Sequence, residues 1–229
     1  MLEPRTRPNR RERPAKPALT RDGIIATALA IMQAEGLGKV SMRRLAAELD
    51  TGPASLYVYV TDIEDLHAQI LDALLVSVHK RLPAGTWRHR LSVLLRRYAD
   101  VLFAHPELAR MAMSTPANGP NYLHLVDTIL GFLQEGGASD RNAAWGVDTL
   151  LLYVTAHAAE HAAWKESSRA QSDMSMLRAT IASADPKTHP HVARLKADLV
   201  SGRGERFDWN LDLLIDGIVR APAATKGKR

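Results

Sequence analysis

Between Ser41 and Tyr59 the chain places hydroxyl, guanidinium and phenol groups on one side of an otherwise apolar pattern. Arg43 is a cation for a phosphate or for the acceptor edge of guanine. Thr51 and Ser55 carry short hydroxyls suited to phosphate oxygens. Pro53 and Ala54 are small enough to pack on a thymine methyl, and Tyr57 and Tyr59 can each direct a phenol at phosphate or base. Arg44 is expected to point away into solvent. Together with Ser41, these residues have the chemistry of a surface that reads duplex nucleic acid. No Ser-His-Asp order, phosphate loop or Gly-rich dinucleotide turn occurs, so no catalytic residue is assigned.

The elements that must carry this set follow from spacing. Ser41 suits an N-cap, since its hydroxyl can accept from an unpaired amide of the first turn. Leu45, Ala46 and Leu49 then form an inward face at helical spacing. Asp50-Thr51-Gly52-Pro53 breaks the run, because Asp tolerates a left-handed backbone and Pro suits a first helical turn. A second helix, about 53–60, is anchored by Leu56 and Val60 and leaves Ser55, Tyr57, Val58 and Tyr59 outside. Thr61 and Glu64 match a capping box for the helix that follows. This is the pattern of a helix-turn-helix. Ahead of it, a helix that begins after Thr20 and runs to Glu35 carries Ile25, Leu29 and Met32 on one face and ends at Gly36. Behind it, a fourth helix from Asp62 to about Arg81 carries Leu66, Ile70 and Leu74, and Pro83-Ala84-Gly85 marks a boundary.

From Leu19 to Leu82 this ordered set resembles the TetR family of transcriptional regulators: a capped helix ending at Gly36, SMRRLA, an LY dipeptide with an aromatic two places on, and an acidic-apolar helix start. The resemblance implies DNA contacts at Arg43, Ser55, Tyr57 and Tyr59. It implies a homodimer built from two C-terminal helices of each chain. It also implies a small-molecule effector that enters the C-terminal bundle and changes the separation of the DNA-reading domains, with the fourth helix as the lever. Two positions depart from the family pattern. Ile63 stands where members commonly carry a phosphate-touching Lys, and Asp50 stands where the turn Gly is usual. The recognition helix also lacks Arg, Lys, Asn and Gln, so direct base reading is expected to be modest.

The remainder predicts a helical bundle, with helices over about 86–104, 107–113, 121–135, 140–164, 174–184, 190–200 and 205–219 and a polar, mobile stretch at 166–173. Two of these helices carry wide apolar stripes: Val147, Leu150, Leu151, Val154 and Ala158 on one, and Phe207, Leu211, Leu214 and Ile218 on the other. Either a bundle core or a dimer interface explains them. A dimer through about 140–164 and 205–219 follows also from the short recognition helix, which needs two half-sites one helical repeat (~34–36 Å) apart for useful specificity. Candidate effector contacts are His105, Tyr122, Trp145, Tyr153 and His157, polar or aromatic groups on apolar helix faces.

His157-Ala158-Ala159-Glu160-His161 also fits an HxxEH string, in which two His at i, i+4 can hold zinc while a Glu activates water. No third ligand is evident, so a metal-dependent hydrolase is kept only as an alternative, and no metal or cofactor is assigned. The seven Arg or Lys and two Glu of residues 1–21 favour a polyanion through counterion release without choosing a sequence. This leaves a second alternative, a sequence-indifferent DNA-packaging protein.

Composition is ordinary for a soluble protein, at 46% hydrophobic and 24% charged with a formal net charge of +5. The absence of cysteine rules out disulfides and thiolate chemistry. No membrane span is expected, since Asp148, His157, Glu160 and His161 interrupt the most apolar stretch. The expectation is an all-α, two-domain chain in a prokaryotic cytoplasm. It comprises a disordered basic arm at 1–18, a DNA-binding domain at 19–82, a ligand-binding and dimerisation domain at 86–220 and a disordered tail at 221–229.

Overall fold

The computed structural model describes residues 18–115, 117–202 and 204–222. Among them the chain is all-helical. By its contacts it divides into two compact units, Met1–Asp62 and Ile63–Arg229. The predicted arm at 1–18 and tail at 221–229 fall almost wholly outside the described residues.

The first unit holds α1 (Arg21–Glu35), a short 3-10 turn (Leu37–Lys39), α2 (Met42–Glu48) and α3 (Pro53–Leu56). Thr20 caps α1 by accepting from the Gly23 amide, as its hydroxyl and position require. Ile24, Ala28 and Ile31 of α1, Leu45 and Ala46 of α2, and Leu56 and Val60 at the end of the motif are buried. Asp50 adopts φ 45, the left-handed conformation expected of the residue that replaces the usual Gly. The turn then closes through the Thr51 amide onto the Ala46 carbonyl at 2.8 Å. α3 is shorter than the predicted 53–60. The last residues continue as turns in which the Tyr59 and Val60 amides both return to the Leu56 carbonyl.

The second unit contains α4 (Ile63–Leu75), α5 (Trp87–Ala104), α6 (Pro106–Ala112), α7 (Pro120–Glu135), α8 (Asp140–Glu166), α9 (Ala170–Ala182), α10 (Pro190–Leu199) and α11 (Glu205–Arg220). Its core joins Leu91, Leu95 and Leu102 of α5, Ile129 and Leu133 of α7, Leu150 and Val154 of α8, and Leu211 and Ile215 of α11. The α8 stripe predicted from sequence therefore serves the chain's own core, and so does the α11 stripe, with Leu211 buried and Phe207, Leu214 and Ile218 packed against it. The two helices lie close where Gly146 leaves room: a Cβ there would fall 2.6 Å from the Ile218 side chain. The arginines of α5 fasten the layers. Arg88 reaches Asp212 and Asp216, Arg90 reaches Glu135, and Arg96 reaches Asp208.

The regular part of α4 ends at Leu75, well before the predicted Arg81. Beyond Leu75 the amides of Val76, Ser77 and Val78 bond three residues back, which tightens the turn. The Arg97 guanidinium donates to the carbonyls of Val78, Lys80 and Arg81, which holds the segment after α4 against α5. The polar stretch at 166–173 resolves into a cap at Ser167, a turn, and the start of α9.

Candidate nucleic-acid interface

Helix α2 begins at Ser41, whose side chain accepts from the Arg44 amide at 3.2 Å. Ser41 is thus committed to the cap, although it remains exposed. Arg43 is exposed on the outer face of α2. Arg44 is not merely solvated: it pairs with Glu35 of α1 at 2.8 Å and with Glu48 one turn on at 2.5 Å, which ties α2 to α1. The hydrogen bonds that the guanidinium donates to both carboxylates, that to Glu48 the larger, hold its pKa above the ordinary value.

In the motif's second half, Pro53, Ala54 and Ser55 are exposed and Thr51 is half-buried. Tyr57 and Val58 stand 54% and 79% exposed directly after the fully buried Leu56. An apolar anchor with two large exposed neighbours is an unfavourable arrangement in water and a serviceable one against a groove. Tyr59 differs from Tyr57. Its phenol is partly buried and donates to the Leu19 carbonyl at 2.7 Å, linking the end of the motif to the entry of α1. Its proton is therefore engaged within the chain, unlike the sequence expectation of a phenol given to phosphate or base. Sequence spacing could not reveal this, because Leu19 lies forty positions away.

The five residues suggested for an effector do not converge. Tyr153 and His157 do meet. With Phe207 they form a near-parallel aromatic group, His157 lying 5.0 Å and Tyr153 5.7 Å from the Phe207 ring. The Tyr153 hydroxyl accepts from Asn210 Nδ2 and donates to the Phe207 carbonyl. Burial pushes the His157 pKa down. His105, at the α5–α6 junction, lines an open groove of about 620 Å³ with Leu74, Val76, Lys80, Arg97 and Asp100. Tyr122 is half-buried, with its pKa raised by burial and then by Asp148. Trp145 lies 63% exposed beneath the Arg141 guanidinium, outside either group. His161, the second His of the HxxEH string, packs edge-on against Phe103 at 5.3 Å. Among the described residues no three His, Cys, Asp or Glu side chains gather as a metal site would require.

Sequence reasoning missed two polar residues of α4. His67 Nε2 is buried without a hydrogen-bond partner. Burial lowers its pKa, against the opposing pull of Glu107 and Glu64. Asp72, 6% exposed, accepts from the Tyr122 amide at 2.8 Å and from Asn121 Nδ2 at 3.0 Å. It thereby caps α7, whose own Gly119 supplies no side chain. A lone carboxylate between Leu71 and Leu75, on an otherwise apolar face, is the signal that could have exposed it.

A half-buried helix-turn-helix with an exposed aromatic end, followed by a helical bundle, defines the class of helix-turn-helix transcription regulators. Residues 24–70 match the profile described as bacterial regulatory proteins, tetR family. Residues 81–221 match the tetracyclin repressor-like C-terminal domain. The Streptomyces coelicolor protein SCO7704, described as a transcription regulator, is 45% identical over 93% of this chain and all of that one, with a TM-score of 0.76. ActR of Streptomyces coelicolor, solved in complex with actinorhodin, is 33% identical over 88% of this chain and 95% of its own, with a TM-score of 0.75. The transcriptional repressor DrrR1 of Streptomyces coeruleorubidus is 29% identical over 96% of this chain and 84% of its own. The chain belongs to the TetR family, and it is a DNA-binding transcriptional regulator. No described helix is long and apolar enough to cross a membrane.

Proposed function

We propose that this protein is a cytoplasmic, ligand-responsive repressor that binds a palindromic operator as a homodimer. Residues 19–82 read the DNA, and residues 86–220 hold the effector and the partner. The observation that carries the reading is the outward row of Arg43, Pro53, Ala54, Ser55, Tyr57 and Val58 on a motif whose inward Leu45, Ala46, Leu56 and Val60 are buried. In this reading Arg43, Thr51, Ser55 and Tyr57 meet phosphates or base edges, and Pro53 and Ala54 pack on a thymine methyl. Tyr59 mainly holds the motif's end against the start of α1. The dimer forms on the outer faces of α8 and α11, where Trp145, Leu152, Trp209 and Leu213 are exposed. Isologous pairing would bury all four twice.

The effector is a small organic molecule, as the ActR complexes with actinorhodin and (S)-DNPA suggest by likeness. The unpartnered His67 Nε2 is the buried polar group best suited to meet it. Binding need only favour one spacing of the two DNA-reading domains over the other to release the operator. Footprinting on the DNA upstream of its own and adjacent genes tests the reading. The expected result is one short protected palindrome with half-sites about 34–36 Å apart. Uniform coating of any duplex would replace the repressor by a packaging protein.

A further inference from the structure

Four asparagines lie among the described residues, and the backbone amide that follows each one is placed differently. After Asn121 the Tyr122 amide donates to Asp72 Oδ1 at 2.8 Å. After Asn142 the Ala143 amide donates to the Ser139 carbonyl at 2.8 Å. After Asn210 the Leu211 amide lies inside α11, where the helical ladder engages it. After Asn118 stands Gly119, the residue before α7, whose amide has no acceptor among the described residues. Asn118 itself is exposed and outside any helix. The fold requires glycine at 119, because a Cβ there would fall 2.3 Å from the Asp72 carboxyl. The same lack of a Cβ leaves the Gly119 nitrogen unscreened toward the side chain before it.

Asparagine is a chemically labile residue, and a free neighbouring nitrogen is what its carboxamide needs to react. We propose that Asn118 is a self-modification site: it deamidates in the folded chain, and the isoaspartate product loosens the tie between Asp72 of α4 and the start of α7. The step needs only water. The Gly119 nitrogen gives its proton to solvent hydroxide and bonds to Asn118 Cγ. The Cγ–Nδ2 bond breaks, and Nδ2 takes a proton and leaves as ammonia. Water then opens the cyclic imide. Attack at Cγ gives aspartate, whereas attack at the main-chain carbonyl gives isoaspartate, whose main chain is one carbon longer. That carbon must move Gly119, which has no slack against Asp72. The new charge by itself is milder, since the helix dipole at the start of α7 favours a carboxylate and offsets repulsion from Asp72.

The test incubates the full chain under native conditions at mildly alkaline pH for several weeks, with Asn118→Gln as the control. Peptide mass spectrometry should find a gain of about one dalton at Asn118, ahead of any change at Asn121, Asn142 or Asn210. Isoaspartate methyltransferase with labelled S-adenosylmethionine should then methylate the aged wild type and not the control. A folded chain that keeps Asn118 intact while the same chain held in urea converts it would overturn the proposal, because the fold would then be protecting the site. Conversion of the other three as fast as Asn118 would overturn the argument from the free amide. The deamidated fraction, separated by ion exchange and containing isoaspartate, should unfold at lower urea than the freshly purified Asn118→Asp variant, which carries the charge without the extra carbon. Equal midpoints would overturn the link to Asp72.

Discussion

Replacing Asp72 tests how α4 is held in the bundle. The carboxylate is buried and accepts two good hydrogen bonds, from the Tyr122 amide and the Asn121 side chain, with a longer one from the Asn121 amide at 3.4 Å. Bonds to a charged acceptor contribute about 1.5–3 kcal/mol each, offset by the cost of desolvating the carboxylate. Asp72→Ala leaves the first turn of α7 without its cap and should cost about 3 kcal/mol. In a chain of this length that lowers Tm by about 6–12 °C. Asp72→Asn keeps one oxygen for the Tyr122 amide but turns an amide group toward Asn121 Nδ2, and should cost about half as much. Gly119 makes the test sharper. A Cβ there would lie 2.3 Å from the Asp72 carboxyl, so Gly119→Ala must displace it. Urea unfolding of both single variants and the double variant gives the coupling. Gly119→Ala should be clearly milder in the Asp72→Ala background, by more than about 0.5 kcal/mol. Additive effects, or an Asp72→Ala variant within about 0.5 kcal/mol of wild type, would refute the assignment of Asp72 as the cap of α7.

Other outcomes follow from the same geometry. Arg43→Ala and Tyr57→Ala should each weaken operator binding about tenfold in fluorescence anisotropy, with unchanged circular dichroism, because both side chains are exposed; full affinity in both would remove them from the interface. Deleting residues 1–18, which carry six Arg or Lys, should flatten the slope of log affinity against log salt by about one unit for each phosphate the arm had neutralised; an unchanged slope would show that the arm neutralises none. Burial raises the Tyr98 pKa to about 12, and its hydroxyl meets Thr155 Oγ1 at 2.9 Å. The folded chain holds that proton more tightly than the unfolded one, so this contribution is intact below pH 10 and lost between pH 10 and 12. Ultraviolet titration should find one tyrosine ionising near 12, and Tyr98→Phe should abolish that step. His67, His105 and His157 are all shifted downward by burial. Protons then favour the unfolded chain, so stability should fall as pH drops below about 6.5, and His157→Phe should lessen that fall in urea titrations at about pH 5 and 7.

The sequence alone determined where most of the helices start and the order of the motif, though not where α3 and α4 end. Ser41, Thr20 and Thr86 announce helix starts because a hydroxyl before an apolar period can hardly do better than cap it. The left-handed backbone at Asp50 was legible for a similar reason, since few residue types tolerate it. All these effects act within a few residues, where spacing and chemistry are visible together. What the tertiary structure alone decided are relations between distant segments. It turned the phenol of Tyr59 onto Leu19, gave Arg97 the carbonyls that follow α4, and buried Asp72 against the start of α7. It also spread the effector candidates apart, setting Trp145 in the open while drawing Tyr153 and His157 onto Phe207. A stripe of apolar residues at helical spacing states that one face is covered, but not by what. The α8 stripe covers its own core, and only three-dimensional packing could separate that from a face awaiting a second chain.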